Sequence, residues 1–104
     1  MSNHTFVMVE DPNVALVSFR SELEERLRKL GEKYGIDSSA SVTDLLRKLE
    51  TREILKAPTV DGIAELVSLS NKAAHGAIVS PETLIPLRHQ GSALLAGLDA
   101  LVNK

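Results

Sequence analysis

A chain of 104 residues holds one hydrophobic core and is too short for two. It has no cysteine, which excludes disulfide staples, thiolate zinc sites and a cysteine nucleophile, and its net charge of −2 argues against broad electrostatic attraction to nucleic acid. With two Phe, one Tyr and no Trp, the core must be built from Leu, Val, Ile and Ala, a helix-bundle composition.

Residues Met1 to Pro12 show no helical period, and Thr5-Phe6-Val7-Met8-Val9 is a short β-prone run ahead of the breaker Asp11-Pro12. This segment reads either as an irregular N-terminal tail packed on the domain or as a linker left from a larger protein. The helical domain is expected over residues 13–104.

From Asn13, a candidate N-cap, the residues Leu16, Arg20, Leu23, Leu27, Leu30 and Tyr34 form a heptad-like stripe widened by Val17 and Phe19. The helix is expected to end between Gly31 and Gly35. On its wet side Glu22 with Arg26, Glu24 with Arg28, and Glu25 with Lys29 make i,i+4 pairs, each worth about 0.2–0.5 kcal/mol. Arg20 occupies a stripe position that asks for an apolar side chain. It either covers the helix border with its aliphatic stem or aims its charge at a polar site between helices. Nine of the 12 Lys and Arg lie between Arg20 and Lys56, interleaved with acids, which reads as a salt-laced surface in preference to a polyanion groove.

After a polar connection over Ile36 to Ala40, Ser41-Val42-Thr43-Asp44 opens a second helix with an N-cap and an acid three residues on. Leu45, Leu46 and Leu49 supply its core face, and Ile54 and Leu55 either extend it or form a separate turn. Pro58 is expected to close the segment, with Thr59 or Asp61 capping the next helix. That central helix is expected to reach about Val79, because Ile63, Leu66, Val67, Ala73, Ala74, Ala77 and Ile78 recur at helical spacing. Asn71 and His75 stand one turn apart on the edge of its apolar face.

Ser80-Pro81-Glu82 then combines a capping residue, a proline at the first helical position and an acid at the positive end of the dipole. Pro86 predicts a kink or a short first piece. Leu84, Leu87, Gly91, Leu94, Leu98 and Leu101 make the stripe of this last helix, with Gly91 marking a close helix crossing. Leu95 and Val102 form a second apolar line, which a symmetric dimer would cover. Four helices with short connections predict an all-α, antiparallel four-helix bundle. No apolar run approaches the roughly 18 residues of a membrane span and no secretory leader is visible, so the expected location is cytoplasmic.

The polar constellation lies in Leu69-Ser70-Asn71-Lys72-Ala73-Ala74-His75-Gly76. Its plain structural reading is a hydrogen-bonded His75, with Gly76 chosen for a close contact. Taken in order with Asp11-Pro12-Asn13-Val14-Ala15-Leu16, Phe19-Arg20-Ser21-Glu22-Leu23-Glu24 and Ser41-Val42-Thr43-Asp44-Leu45-Leu46, the segment resembles the HEPN superfamily, in particular its small bacterial branches. Active members of that superfamily carry an arginine, a polar residue and then a histidine four to six positions on, and many cut RNA without metal as dimers with a composite site. The resemblance implies His75 as the acid or base and Asn71 as the polar residue; Arg20, reaching across from the first helix, is the candidate to supply the cation.

The motif arginine itself falls on Ser70. A serine holds no charge on a phosphate, and losing such a stabiliser costs about 100- to 1000-fold in rate. Lys72 lies about 100° round the helix from Asn71 and does not replace it. The expected function is therefore a non-catalytic or weakly active dimerising or ligand-binding module. The resemblance further suggests an accessory of a bacterial defence or toxin-related system. The alternative is a metal-free ribonuclease using His75, Asn71 and Arg20. A third reading, histidine phosphotransfer, asks for a lysine three residues after the histidine, where this chain has Ile78. Expected partners are a second copy, an RNA or nucleotide ligand, or a fused or separate protein. No cofactor is expected, and no metal, since His4, His75 and His89 show no ligand spacing.

Overall fold

Leucine at helical spacing, bounded by local caps, produces four helices: α1 (Pro12–Lys33), α2 (Val42–Thr51), α3 (Ala57–Ala74) and α4 (Pro81–Val102). The computed structural model describes residues 12–37, 41–76 and 79–104, with the backbone alone for Pro81 and Leu84. The β-prone run Thr5 to Val9, residues 38–40 of the first connection, and Ala77 and Ile78 lie outside the described residues. The expected all-α four-helix bundle is the fold observed.

Some helix caps follow local spacing and others are displaced by a neighbour. Ser41 accepts the backbone N–H of Asp44, and Ser80 that of Thr83, as their spacing predicts. Asn13 does not cap α1. Pro12 is already helical, and the Asn13 side chain bridges to the far end of α3. Pro58 does not close α2 but opens α3, where its missing N–H falls among donors that have no intrahelical partner in any case. Thr59 and Asp61 consequently lie inside α3, and its N-cap is Lys56, without a side-chain bond. Helix α3 stops at Ala74, short of the expected Val79, because Gly76 turns the chain with φ +95°. Helix α4 runs continuously through Pro86, in place of the expected short first piece. Pro86 is exposed, as is Glu82, whose carbonyl loses its intrahelical donor to the proline.

The main core joins Leu23, Leu27 and Leu30 of α1 to Leu45, Leu46 and Leu49 of α2, Ile63 and Leu66 of α3 and Leu98 of α4. A second cluster, Ala15, Leu16, Ala73 and Val79, closes the opposite end. Helices α1 and α3 form the middle of the bundle. Each touches every other helix, whereas α2 and α4 do not meet among the described residues.

The directions follow from paired contacts. Leu16 lies against Ser70 and Asn13 against Ala73, so α1 and α3 are antiparallel. Phe19 lies against Gly91, Arg26 bonds Asp99 and Lys33 reaches Leu101, so α1 and α4 run the same way. Antiparallel packing thus holds for α1 with α3 and for α3 with α4, while α1 and α4 are parallel neighbours. The close approach expected at Gly91 is present: a methyl group there would overlap the Phe19 ring. Leu95 and Val102 are half-buried against the main core, so the second apolar line is largely covered within one chain.

Candidate functional site

Helix α3 carries the candidate residues, and its turn of about 100° per residue sends them in different directions. Ser70 is only 1% exposed. Its hydroxyl donates to the Leu66 carbonyl one turn back at 2.7 Å and lies 3.1 Å from the Leu16 carbonyl of α1. One hydrogen shared between two acceptors makes Ser70 a polar pin between α1 and α3. The position where the family resemblance asks for an arginine is therefore interior, closed to any phosphate.

Asn71 is half-buried and lines a groove of about 330 Å³ between α2 and α3, together with Val42, Leu46, Val60, Val67 and Glu50. His75 is exposed and is the C-cap of α3, its backbone N–H donating to the carbonyls of Asn71 (3.1 Å) and Lys72 (3.2 Å). Among the described residues its imidazole has no hydrogen-bond partner. A Cβ on Gly76 would meet nothing within 4 Å, so this glycine serves the left-handed backbone and not a close contact.

Arg20 pairs with Glu24 on its own helix at 3.4 Å, with its side chain 36% exposed. In the antiparallel register it lies opposite Leu66, about nine residues, or about 13 Å along the bundle, from His75. Arg20 and His75 thus stand at different levels within one chain. Lys72 is exposed, as is His89 on α4, while His4 lies outside the described residues. Among the described residues no three His, Asp or Glu side chains are grouped to hold a metal ion, and no helix is long and apolar enough to cross a membrane.

Two further features carry little trace in the sequence. The Asn13 amide donates to the Ala73 carbonyl at 3.2 Å, and its side-chain oxygen accepts from the Val79 N–H at 3.3 Å. It ties the end of α3 to the segment entering α4, adding a second donor to the Ala73 carbonyl, which also accepts the Gly76 N–H at 3.2 Å. The second is a cleft of about 490 Å³ where the chain leaving α1 meets the end of α2, lined by Gly35, Ile36, Asp37, Arg47, Lys48, Thr51 and Arg52. Its one hint in the sequence is the pair Arg47-Lys48 followed by Arg52, which merges there into the general run of charge.

The chain matches no family model, no curated protein and no solved structure. Its own residues therefore carry the functional reading.

Proposed function

We propose that this protein is a non-catalytic dimerising and ligand-binding module of HEPN type, acting in the bacterial cytoplasm as an accessory to a larger system. The observation that carries the absence of catalysis is Ser70 at 1% exposure, sealed between two carbonyls at the position where an active member of that superfamily needs a cation. The other groups do not compensate: Arg20 is engaged by Glu24, and His75 is exposed at a different level of the bundle.

Dimerisation is supported by the exposed apolar residues. Val14 is 54% exposed and Ile85 60%, with Val17 beside Val14 at 37%. Because α1 and α4 are parallel and α3 opposes them, these residues and His75 share one end of the bundle, within about 9 Å along its axis. A symmetric interface at that end buries the apolar side chains and brings two copies of His75 near each other.

Two measurements test the reading. Labelled transfer RNA incubated with the protein in chelator is expected to stay intact, equally for the wild type and His75→Ala; cleavage lost in His75→Ala overturns the non-catalytic assignment. Sedimentation across a dilution series is expected to show a dimer that Val14→Asp with Ile85→Asp dissociates, whereas a monomer at every concentration overturns the interface.

A further inference from the structure

We propose that the cleft between the end of α1 and the end of α2 is a phosphate-binding site formed by Arg47, Lys48, Arg52 and the Thr51 hydroxyl. This assigns a ligand class to the binding half of the function above, on which it rests, and it is independent of dimerisation.

Charge singles out this cleft. In a chain of net charge −2, it is lined by three cations and one acid, Asp37. Three other grooves among the described residues are balanced or nearly so: one is lined by Arg47 and Glu50, another by Glu22 and Arg88, and in a third Lys56 is the one charged lining residue.

Complementing a helix end is the ordinary reason for cations in a last turn, and here that need is met for all but the final carbonyl, that of Thr51. The carbonyls of Lys48, Leu49 and Glu50 accept the backbone N–H groups of Arg52, Ile54 and Glu53 at 2.9–3.0 Å, and Leu55 adds a second bond to Leu49 at 3.2 Å. With three of its last four carbonyls satisfied, the end of α2 places less negative charge on its flanking side chains. Among the described residues Lys48 has no ion-pair partner. Arg52 is held in place by one nitrogen: Nη1 donates to the Tyr34 carbonyl at 2.8 Å, which orients the guanidinium and leaves its other N–H groups to the cleft. Arg47 pairs with Asp44 one turn earlier on α2.

A planar, partly anchored guanidinium matches carboxylate and phosphate alike, and it is the gathering of Arg47, Lys48 and Arg52 around one cleft that favours a multiply charged oxyanion over a single carboxylate. The floor includes buried Ile36, and the volume suits a mononucleotide-sized molecule. A free nucleoside phosphate and the phosphodiester of an RNA share this chemistry.

The test is an amide NMR titration of the full chain at low salt with pyrophosphate, then ADP, then a short RNA. Saturable shifts confined to residues 35–37 and 47–52 are expected. Arg47→Gln with Lys48→Gln, two exposed substitutions that leave the Arg52 bond in place, is expected to weaken binding about tenfold or more, with an unchanged circular dichroism spectrum and melting temperature. Lys72→Gln, which removes an exposed cation elsewhere, is expected to leave binding unaltered. Tighter binding of ADP than of RNA identifies a free nucleotide as the source, and the reverse identifies a polynucleotide backbone; both outcomes support phosphate recognition. The proposal is overturned if the shifts are absent or spread over the whole surface, if acetate reproduces them at the same concentration, or if Lys72→Gln weakens binding as much as the double substitution.

Discussion

At Gly91 and Gly97 the same substitution has opposite consequences, because one helical glycine is in contact and the other is not. A methyl group at Gly91 meets three atoms of the Phe19 ring, all at 2.8 Å or closer, whereas at Gly97 it meets nothing within 4 Å. Gly97→Ala is expected to stabilise the fold by about 1 kcal/mol through helix propensity. Gly91→Ala gains the same propensity but forces the ring aside, and it is expected to destabilise by a net 1–2 kcal/mol, roughly, in urea unfolding. Adding Phe19→Leu is expected to recover most of that loss, a coupling that a double-mutant cycle reads directly. Ser70 gives a sharper case. Introducing an arginine by Ser70→Arg places a guanidinium where the native side chain is 1% exposed and its hydroxyl meets only the Leu66 and Leu16 carbonyls. The expected result is a loss of about 3 kcal/mol or more and no gain of ribonuclease activity, checked by thermal melting beside the RNA assay. The close approach at Gly91 is legible in the sequence, because a glycine at a stripe position gives up both helix propensity and core volume, a loss that a tight helix crossing offsets. The burial of Ser70 is not, since a serine beside an asparagine and a histidine reads equally as part of a polar cluster until the partner helix is placed.

The helix ends show where local signals suffice. Ser41 and Ser80 cap where their spacing predicts, because a cap bond spans three residues and nothing distant competes with it. Pro58 is ambiguous in the sequence because one residue, unable to continue the helix before it, is equally fit to begin the helix after it. Asn13 looks like a local cap only because its true partners, Ala73 and Val79, lie 60 and 66 residues away. Past the end of α2, Glu53 adopts φ +60°, a left-handed conformation that a side chain with a Cβ enters at a cost of about 1 kcal/mol. Two N–H groups beyond it, those of Ile54 and Leu55, converge on the Leu49 carbonyl, so the turn is determined by its hydrogen bonds and not by the residue in it. Glu53→Gly is expected to raise stability by about 0.5–1 kcal/mol, seen as a higher urea midpoint with an unchanged slope.

For the whole molecule, the apolar period identifies the all-α bundle and nearly all of its core leucines, because burial of one helix face is written into the sequence every three or four residues. Which helices are neighbours, and in which direction, is not written there. The parallel pairing of α1 with α4 depends on contacts between residues some 70 positions apart: Arg26 with Asp99 at 2.9 Å, and Lys33 donating to the Leu101 and Val102 carbonyls. The cleft at the end of α2 is hidden for the same reason, since its two walls belong to segments that are adjacent only after folding.

The seating of α4 has a kinetic corollary. Among the described residues it contributes one buried apolar side chain, Leu98, against five from α1, and its partners lie at the greatest separation along the chain. Contacts of that range form late, after shorter loops have closed, and thinly anchored segments are the first to detach from the native state. Amide protons of α4 are thus expected to exchange with deuterium faster than those of α1 and α3 under native conditions. Slowing in α4 alone when a second copy is added at high concentration would show that self-association latches this helix onto an already assembled three-helix base.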